Sequence, residues 1–475
     1  MAFIKNTVFY AVGNLLPKVS TFFLLPLYTA YMGPKEYGIS ESMVIISSIL
    51  SVLFSLGIHN SVYRLYYDYK TNDERAKFFG TVNIGITTLS IIGTIIVLVL
   101  HKYVSLIFKD IPFFPYFLLA ILFTLINNFG EVPKAFLMIK EKALTYVLIG
   151  LFQFIVTTSF VIWFVIFKGA GAIGMLKAQV LGSLLLLPYL LFLSYQNFVF
   201  KFDMSMMTNI LRYSLPSIPT IISAWILNLS DRIFIERYLS STDVGVYSLG
   251  YKIAGVVGII FVAFDMTYMP YFFKLANSVK QESIEKIRVI NNLYIYFLLF
   301  VTFSVSLFSK EIIETFFTAS YFNAYIIIMI ISYVFFFTQA GSILGKNLAQ
   351  SKKVKQGMFI DIMCAFINIV FNFLLIPIIG IYGAAWATLI SFIFSSIVYF
   401  IYSSRNTFYV PLKIVTISIL FTSSIMILLV FNFYLKLNYI HSIFAKSSII
   451  VIIFIAMFFF YSKNKKQLSQ TFFQN

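Results

Sequence analysis

Three charged residues interrupt an apolar stretch of the sequence, LNLSDRIFIERYL, at residues 227–239. Asp231 and Arg232 are adjacent there, and Glu236 follows one helical turn later. A charge at the centre of a bilayer costs about 2.5–3.5 kcal/mol on insertion scales. Arg232 and Glu236 have i,i+4 spacing, so they can pair on one helix face and leave Asp231 for another partner. Two interpretations stay open: a neutralised structural cluster near the headgroups, or an outer gate that also lines a cavity.

Lys18 is a second charge of this kind, in the middle of the first apolar stretch between Pro17 and Pro26. It lies too deep to reach water easily, so it should face either a polar cavity or a carboxylate. Asp265 and Glu41 are its candidate counter-ions. A cavity cation and a structural ion pair both remain open.

Other charges lie within or at the ends of apolar stretches. Lys252 follows the same logic as Lys18 but nearer the outside, and Arg64 ends the second stretch. The carboxylates Asp265, Glu131 and Asp361 could carry a coupling proton or sodium ion. Each lies near a predicted membrane boundary, where a satisfied interfacial acid is the alternative.

The composition excludes a soluble globular protein. The 475 residues are 60% hydrophobic and only 11% charged, include 56 Phe, and have a mean hydropathy of +0.91. Such a chain has too little polar surface to face water. Apolar runs of about 20 residues, the length that crosses a bilayer as a helix, recur throughout. We predict an all-α polytopic membrane protein with about 14 transmembrane helices, near 8–31, 38–59, 79–100, 115–136, 144–167, 174–195, 213–236, 245–270, 289–309, 322–345, 357–377, 383–403, 413–433 and 443–461.

The distribution of positive charge predicts the orientation. Loops on the side of the two termini hold 23 Lys and Arg residues, whereas loops on the opposite side hold 7. Cytoplasmic loops carry the excess of Lys and Arg, so both termini should be cytoplasmic. The net charge of +17 is therefore explained by topology and does not indicate nucleic acid. The loops are short, so any activity must lie among the helices.

An internal repeat relates the two halves of the chain. "AYMGPKEYGIS" (30–40) and "RYLSSTDVGVY" (237–247) match at an offset of 207, and "GAIGMLKA" (171–178) matches "GIYGAAWA" (380–387) at 209. We predict two parallel six-helix repeats, an arrangement that places substrate sites between the halves. The predicted lobes cover residues 1–203 and 204–404, and two further helices with a cytoplasmic tail occupy 405–475.

Three segments of the sequence are similar to a known family. "MGPKEYGI", "LSDRIFIERYLSSTDVGVYSLGYKIAGVV" and "GIYGAAWATLI" resemble the polysaccharide-synthesis branch of the multidrug/oligosaccharidyl-lipid/polysaccharide exporter superfamily, which includes O-antigen and capsule repeat-unit flippases. The resemblance covers essentially the whole chain. It implies a V-shaped pair of lobes in the bacterial cytoplasmic (inner) membrane that opens alternately to either side.

The resemblance also implies the cargo, a polyprenyl-diphosphate-linked oligosaccharide for O-antigen, capsule or exopolysaccharide assembly. Lys18, Arg64, Lys252 and Arg232 would then bind the substrate diphosphate, because charge-assisted bonds to phosphate are strong. Asp231, Glu236, Asp265 and Glu41 would act as gate or ion-coupling residues. The expected partners are membrane lipids and, in addition, the polysaccharide polymerase and the chain-length machinery. No nucleic acid is expected as a partner.

Two motifs resemble nucleotide sites without meeting their requirements. "GAGAIG" (169–174) follows a membrane span where a strand is needed, and "GSILGKN" (341–347) is one residue short, with Asn347 where a Ser or Thr should bind magnesium. The three histidines are scattered, which does not fit a metal site. We expect no cofactor and no catalysis, with energy supplied by proton or sodium coupling.

Two alternatives to flipping remain. A cation-coupled multidrug exporter of the same superfamily should have a cavity rich in carboxylates, against which Lys18 counts. A membrane polysaccharide polymerase or ligase is more remote, because such enzymes present large external loops.

Overall fold

A computed structural model of the chain describes residues 2–278, 281–405, 412–435 and 438–463. Over those ranges the backbone is helical apart from short connections, and no strand occurs in them. Long apolar helices with few charges satisfy their own backbone hydrogen bonds, which is the condition for crossing hydrocarbon. The predicted all-α, multi-pass membrane fold is confirmed.

The first of two compact units comprises Met1–Ser248 and Asn372–Ile381. Short π-helical turns lie at Phe113–Phe117, before α5, and at Ile162–Phe167, after α6. The helices of this unit are α1 (Ala2–Ser55), α2 (Ile58–Leu65), α3 (Asn72–Val99), α4 (His101–Ser105), α5 (Leu118–Ile139), α6 (Ala143–Val161), α7 (Gly171–Asn197), α8 (Met204–Ser214), α9 (Ile218–Leu229) and α10 (Asp231–Tyr238).

The second unit comprises Leu249–Phe371 and Tyr382–Asn475. Its first helix begins in the first unit, and the last residues of α16 belong to the first unit. The helices are α11 (Ser241–Ala254), α12 (Val256–Ser278), α13 (Gln281–Leu307), α14 (Ser309–Phe316), α15 (Ala324–Gln350), α16 (Val354–Ile379), α17 (Ile381–Ser404), α18 (Ile414–Leu429) and α19 (Tyr439–Lys463). The two compact units do not test the repeat boundaries predicted near 203 and 404, because a compact unit need not coincide with a duplicated segment. Those boundaries remain predictions.

The fourteen predicted spans can be located in the described ranges. Eleven helical stretches there are long and apolar enough to cross a membrane, and Thr416–Asn432 and Tyr439–Ile455 are shorter apolar helices. The first long stretch, Val19–Ser55, contains most of two predicted spans. Gly33 divides it with non-helical angles (φ 67°, ψ 167°). Glycine tolerates a positive φ, and Pro34 suits the start of the next helical segment because it has no N–H to satisfy.

The seventh predicted span, 213–236, differs from the prediction of one continuous helix. It divides into the end of α8, a 3₁₀ turn at Leu215–Ser217, α9 and α10. Pro216 lies within the 3₁₀ turn and Pro219 in the first turn of α9. Proline cannot donate an interior helix hydrogen bond, so both are confined to such positions. The break between α9 and α10 falls at Ser230, immediately before the charged residues.

An ion pair ties α19 to α14 within the second unit. The Lys446 ammonium lies 2.8 and 3.0 Å from the two Glu311 carboxylate oxygens and donates to Asn432 Oδ1 at 3.0 Å. The Ser442 hydroxyl donates to the same carboxylate at 2.6 Å. Lys446 is 1% exposed, so a fully satisfied pair is required at this position. This contact connects a helix outside the predicted repeats to one inside them.

Candidate functional site

The charges at the start of α10 form a buried cluster, here called the α10 cluster and consisting of Asp231, Arg232, Glu236 and Tyr247. The first three side chains are 1%, 4% and 0% exposed. Arg232 Nη1 donates to Asp231 Oδ1 at 2.7 Å, and the Tyr247 hydroxyl donates to the other oxygen, Oδ2. The Arg232 guanidinium lies 5.1 Å from the centre of the Tyr247 ring. All four residues belong to the first unit.

The ion pair expected between Arg232 and Glu236 does not form. Arg232 Nη1 instead also donates to the Asn228 carbonyl at 2.5 Å. Because α9 ends at Leu229, the guanidinium can turn back towards a carbonyl of its last turn. Glu236 accepts from the Asp110 amide at 3.1 Å and from the Ser241 hydroxyl at 2.8 Å.

Glu41 lies close to the α10 cluster. It is 6% exposed, interacts with the neighbouring Tyr37, and that tyrosine lies within electrostatic reach of Arg232. Glu41 and Tyr37 are carried by α1 and Arg232 by α10. The structure therefore brings together Asp231, Arg232, Glu236 and Glu41, four of the residues selected from the sequence. Their roles stay predictions.

The two segments that match in the predicted repeat meet beside this cluster. Residues 30–40 and 237–247, called the first and second outer segments after the predicted orientation, contact each other through Gly38 and Gly245. A Cβ on Gly38 would collide with the Ser241 carbonyl oxygen and lie 2.7 Å from the Gly245 nitrogen. A Cβ on Gly245 would lie 2.8 Å from the Pro34 carbonyl carbon. The obstacles are backbone atoms, so the contact requires glycine on both sides.

Each outer segment also touches the start of another helix, at the glycines paired by the repeat. The Glu36 carboxylate accepts from the Ala172 amide at 2.8 Å at the start of α7, beside Gly171. Leu239 of the second outer segment lies against Gly380, just before α17. A carboxylate at a helix N-terminus is favourable because free amides point towards it.

The remaining predicted cations lie on α1, α2 and α11. Lys18 lies in α1, but its side chain falls outside the described residues. Arg64 is 58% exposed at its side chain and pairs with Asp68 at 2.5 Å. Lys252 is half-buried in α11 and belongs to the second unit. Convergence of these cations on one ligand stays a prediction.

Asp265 has a partner that the sequence analysis missed. Lys346 Nζ lies 2.6 Å from Asp265 Oδ1, with side chains 7% and 24% exposed. The ammonium also lies 5.7 and 5.9 Å from the ring centres of Phe261 and Tyr268. The predicted tenth span ended at residue 345, whereas α15 continues to Gln350. The apolar residues beyond Lys346 were the available signal that this lysine lies inside a helix.

The other intramembrane carboxylates have nearby partners. Glu131 lies 3.7 Å from Lys134 one turn away, and Asp361 accepts a hydrogen bond from the Tyr399 hydroxyl at 3.0 Å. Satisfied acids of this kind fit the structural alternative for these two positions. Asp265 is distinct in that its partner is a lysine on another helix.

Comparison with known proteins decides the family. A family described as "Polysaccharide biosynthesis protein" matches residues 3–276, more than half of the chain. The chain belongs to this family. This chain is 28% identical over 283 residues to "Lsg locus putative protein 1" of Haemophilus influenzae, covering 58% of this chain and 67% of that protein.

A second relative and a solved structure extend the likeness. "Capsular polysaccharide biosynthesis protein CapF" of Staphylococcus aureus is 22% identical over 413 residues, covering 85% of this polysaccharide biosynthesis protein and 99% of CapF. The structure of "Lipid II flippase MurJ, inward closed conformation" matches with a TM-score of 0.72 and 15% identity, covering 96% of this chain and 99% of MurJ. The resemblance to polysaccharide-synthesis proteins is confirmed by the family match, and the likeness to the MurJ structure shows a shared fold.

Proposed function

We propose that this polysaccharide biosynthesis protein is a flippase that moves polyprenyl-diphosphate-linked oligosaccharides across the cytoplasmic membrane by alternating access. The family match over residues 3–276 is the observation that carries the proposal. The fold shared with a protein named lipid II flippase supports it, because the same helical architecture accommodates a lipid-linked glycan there. Both termini would lie in the cytoplasm, and the product would feed O-antigen, capsule or exopolysaccharide assembly.

In this proposal, cations hold the diphosphate while the glycan crosses in a wet cavity. Lys18, Arg64 and Lys252 are the proposed binding residues, and Arg232 joins them only when its pair with Asp231 opens. A guanidinium or ammonium binds phosphate oxygens through charge-assisted hydrogen bonds. The protein performs no covalent step, so the chemistry required of it is binding and release.

The α10 cluster and the glycine contact are the proposed outer gate. Asp231, Glu236 and Glu41 neutralise or anchor the charged groups while the two outer segments touch. Opening would separate Gly38 from Gly245 and expose the buried charges to water, where their hydration offsets the lost pairing. Proton or sodium binding at Asp265 is the proposed energy input, since no ATP site is expected.

The test of this proposal measures which leaflet of the membrane holds the lipid-linked glycan. Polyprenyl-diphosphate glycans would be extracted from cells with and without this protein, and the leaflet that holds them would be probed with an impermeant glycan-modifying reagent. Flipping predicts accumulation of complete repeat units on the cytoplasmic face and loss of surface polymer. New sensitivity to cationic drugs without accumulation would favour the drug-exporter alternative. Accumulation of unpolymerised units on the outer face would favour the polymerase or ligase.

Variants at Lys18 sharpen this test. Lys18→Ala should abolish glycan export, whereas Lys18→Arg should retain part of it because the positive charge persists. Lys168→Ala is a matched control, since Lys168 lies on the predicted outer side against the Trp163 ring, with its ammonium 5.6 Å from the ring centre. Normal export by the Lys18→Ala variant would remove Lys18 from the proposed substrate site.

A further inference from the structure

A groove between α12 and α13 lies in the second unit. Its volume is about 420 Å³, within the range of about 300–1,000 Å³ that is usual for small-molecule sites. Each helix contributes four side chains. The lining residues are Phe264, Thr267, Tyr268, Tyr271, Ile290, Leu293, Tyr294 and Phe297.

The register of the lining residues gives the groove its direction. On both helices they are spaced i, i+3, i+4 and i+7, so each set forms a single face two turns long, about 10 Å. The Phe264 and Tyr294 rings stack across the two helices with centres 3.8 Å apart. Tyr271 and Phe297 remain 37% and 44% exposed. The groove is thus open along the helices and lined largely by aromatic rings.

The lining selects an apolar occupant over a sugar. A buried sugar hydroxyl without a hydrogen-bond partner costs several kcal/mol, and most of the lining is aromatic or aliphatic. The Tyr268 hydroxyl is already committed to Asn291 Oδ1 at 2.5 Å. Tyr271 lies seven residues before α12 ends at Ser278, about 10 Å along the axis. The predicted spans 245–270 and 289–309 would therefore place the groove in the half of the bilayer nearer that helix end.

Lysines follow the groove on the same helix faces. Lys274 comes three residues after Tyr271 on α12 and is exposed, and Lys286 comes four residues before Ile290 on α13. Lys286 pairs with Glu282 at 2.9 Å, so Lys274 carries the available positive charge. The predicted topology places this end at the cytoplasmic face. An apolar groove with a cation at its interfacial end is complementary to an amphiphile with an apolar chain and an anionic head.

We propose that the groove is a loading site for the polyprenyl chain of the lipid-linked cargo, with Lys274 at the diphosphate. This inference rests on the proposed flippase function and names where the lipid portion binds before transport. Tyr268 is shared between the groove wall and the Lys346–Asp265 pair, whose ammonium lies over its ring. A lipid chain in the groove would therefore contact Tyr268, whose ring also lies beside the ammonium that pairs with Asp265, the proposed coupling carboxylate.

Photocrosslinking of the purified full chain in nanodiscs tests the site. A benzophenone amino acid would replace Phe297, and in a matched control it would replace Phe366, which is 67% exposed on α16 of the same unit. The probe is radiolabelled polyprenyl diphosphate without a glycan. We expect labelling at position 297 but not at 366, with competition by unlabelled polyprenyl diphosphate and not by phosphatidylglycerol. Equal labelling at both positions, or equal competition by phosphatidylglycerol, would overturn the proposal.

Two substitutions test binding of the polyprenyl chain and of the diphosphate head group separately. With the crosslinker at 297, Tyr271→Ala should lower labelling about fivefold through lost apolar contact, and Lys274→Gln should lower labelling by the diphosphate but not by the uncharged polyprenol. The controls Phe359→Ala and Lys355→Gln alter exposed residues of α16. Unchanged labelling in both test variants would refute the site. The leaflet assay distinguishes the two failures, because glycan accumulation in cells lacking the protein would uphold flipping even if the groove were empty.

Discussion

Gly38 and Gly245 lie 207 positions apart, at equivalent places in the predicted internal repeat, and each packs against the backbone of the other's segment. The first faces Ser241 and Gly245, and the second faces Pro34. A pair of glycines at one repeat offset, meeting each other in space, is the arrangement expected where two copies of one segment must approach and part. The proposed outer gate can therefore be tested by adding a side chain at either glycine.

Gly38→Ala and Gly245→Ala should force the outer segments apart, because a Cβ cannot coexist with the facing backbone. Spin labels would be attached at Tyr31→Cys and Tyr238→Cys, both exposed, on a Cys364→Ser background. Double electron–electron resonance should then report a longer distance between the two labels. Gly150→Ala is the control, since a Cβ there meets nothing within 4 Å. An unchanged distance with normal glycan export would show that the contact is not a gate.

Asp231→Asn should destabilise the protein more than Glu236→Gln. The first change leaves the buried Arg232 guanidinium without its carboxylate, a loss of about 3–5 kcal/mol. The second keeps one oxygen for the Asp110 amide, which donates to Oε1, and places an NH2 group, which can donate to the Ser241 hydroxyl, where Oε2 accepted from it. Thermal unfolding monitored by size-exclusion chromatography would rank the variants. Equal losses would contradict the pairing described for Arg232.

Glu311→Ala should destabilise the attachment of α19, because it strands the Lys446 ammonium, which is 1% exposed. The expected loss is about 3–5 kcal/mol. Adding Lys446→Met should recover part of it, since the apolar Met side chain needs no counter-ion. A double-mutant cycle measures this coupling. Additive losses would mean that the two side chains do not depend on each other.

Asp265→Asn should abolish transport that is driven by the ion gradient. Exchange of the lipid between the two leaflets without a gradient should persist. It leaves the Lys346 ammonium to Ser342 and the two neighbouring aromatic rings. Proteoliposomes with and without an imposed proton or sodium gradient would measure both activities. Glu285→Gln serves as the control, because Glu285 is an exposed acid paired with Arg288 on α13. Gradient-driven transport by the Asp265→Asn variant would exclude this carboxylate as the coupling site.

Asp203 should make stability depend on pH in the acid range. The hydrogen bond from Lys77, together with that from the Met206 amide, holds the pKa of Asp203 below its usual value. A lowered pKa means that the carboxylate stabilises the fold above the usual value near 3.9, and that this contribution disappears as pH falls through the folded-state pKa. The stability difference between wild type and Asp203→Asn should therefore shrink on acidification. A constant difference from pH 7 to pH 3 would contradict it.

The sequence alone was sufficient for the membrane class and the helical spans. Both follow from properties that act locally, the length of an apolar run and the absence of backbone partners in hydrocarbon. The division at Gly33 was within that reach, because the predicted spans 8–31 and 38–59 end and begin on either side of it. The break at Ser230 was missed, because apolar length does not report a change of backbone angle within a run, although Pro216 and Pro219 marked the segment as irregular.

Charge pairing was decided by tertiary structure. Spacing favoured Arg232 with Glu236, yet the end of α9 supplies the Asn228 carbonyl, and Asp231 completes the pair. Lys346 with Asp265 and Lys446 with Glu311 join residues separated by 81 and 135 positions. Helical periodicity determines which residues share a face, but only the packing of helices determines which faces meet. Buried charges select their partners at that step, because inside the membrane each must be satisfied by a neighbour.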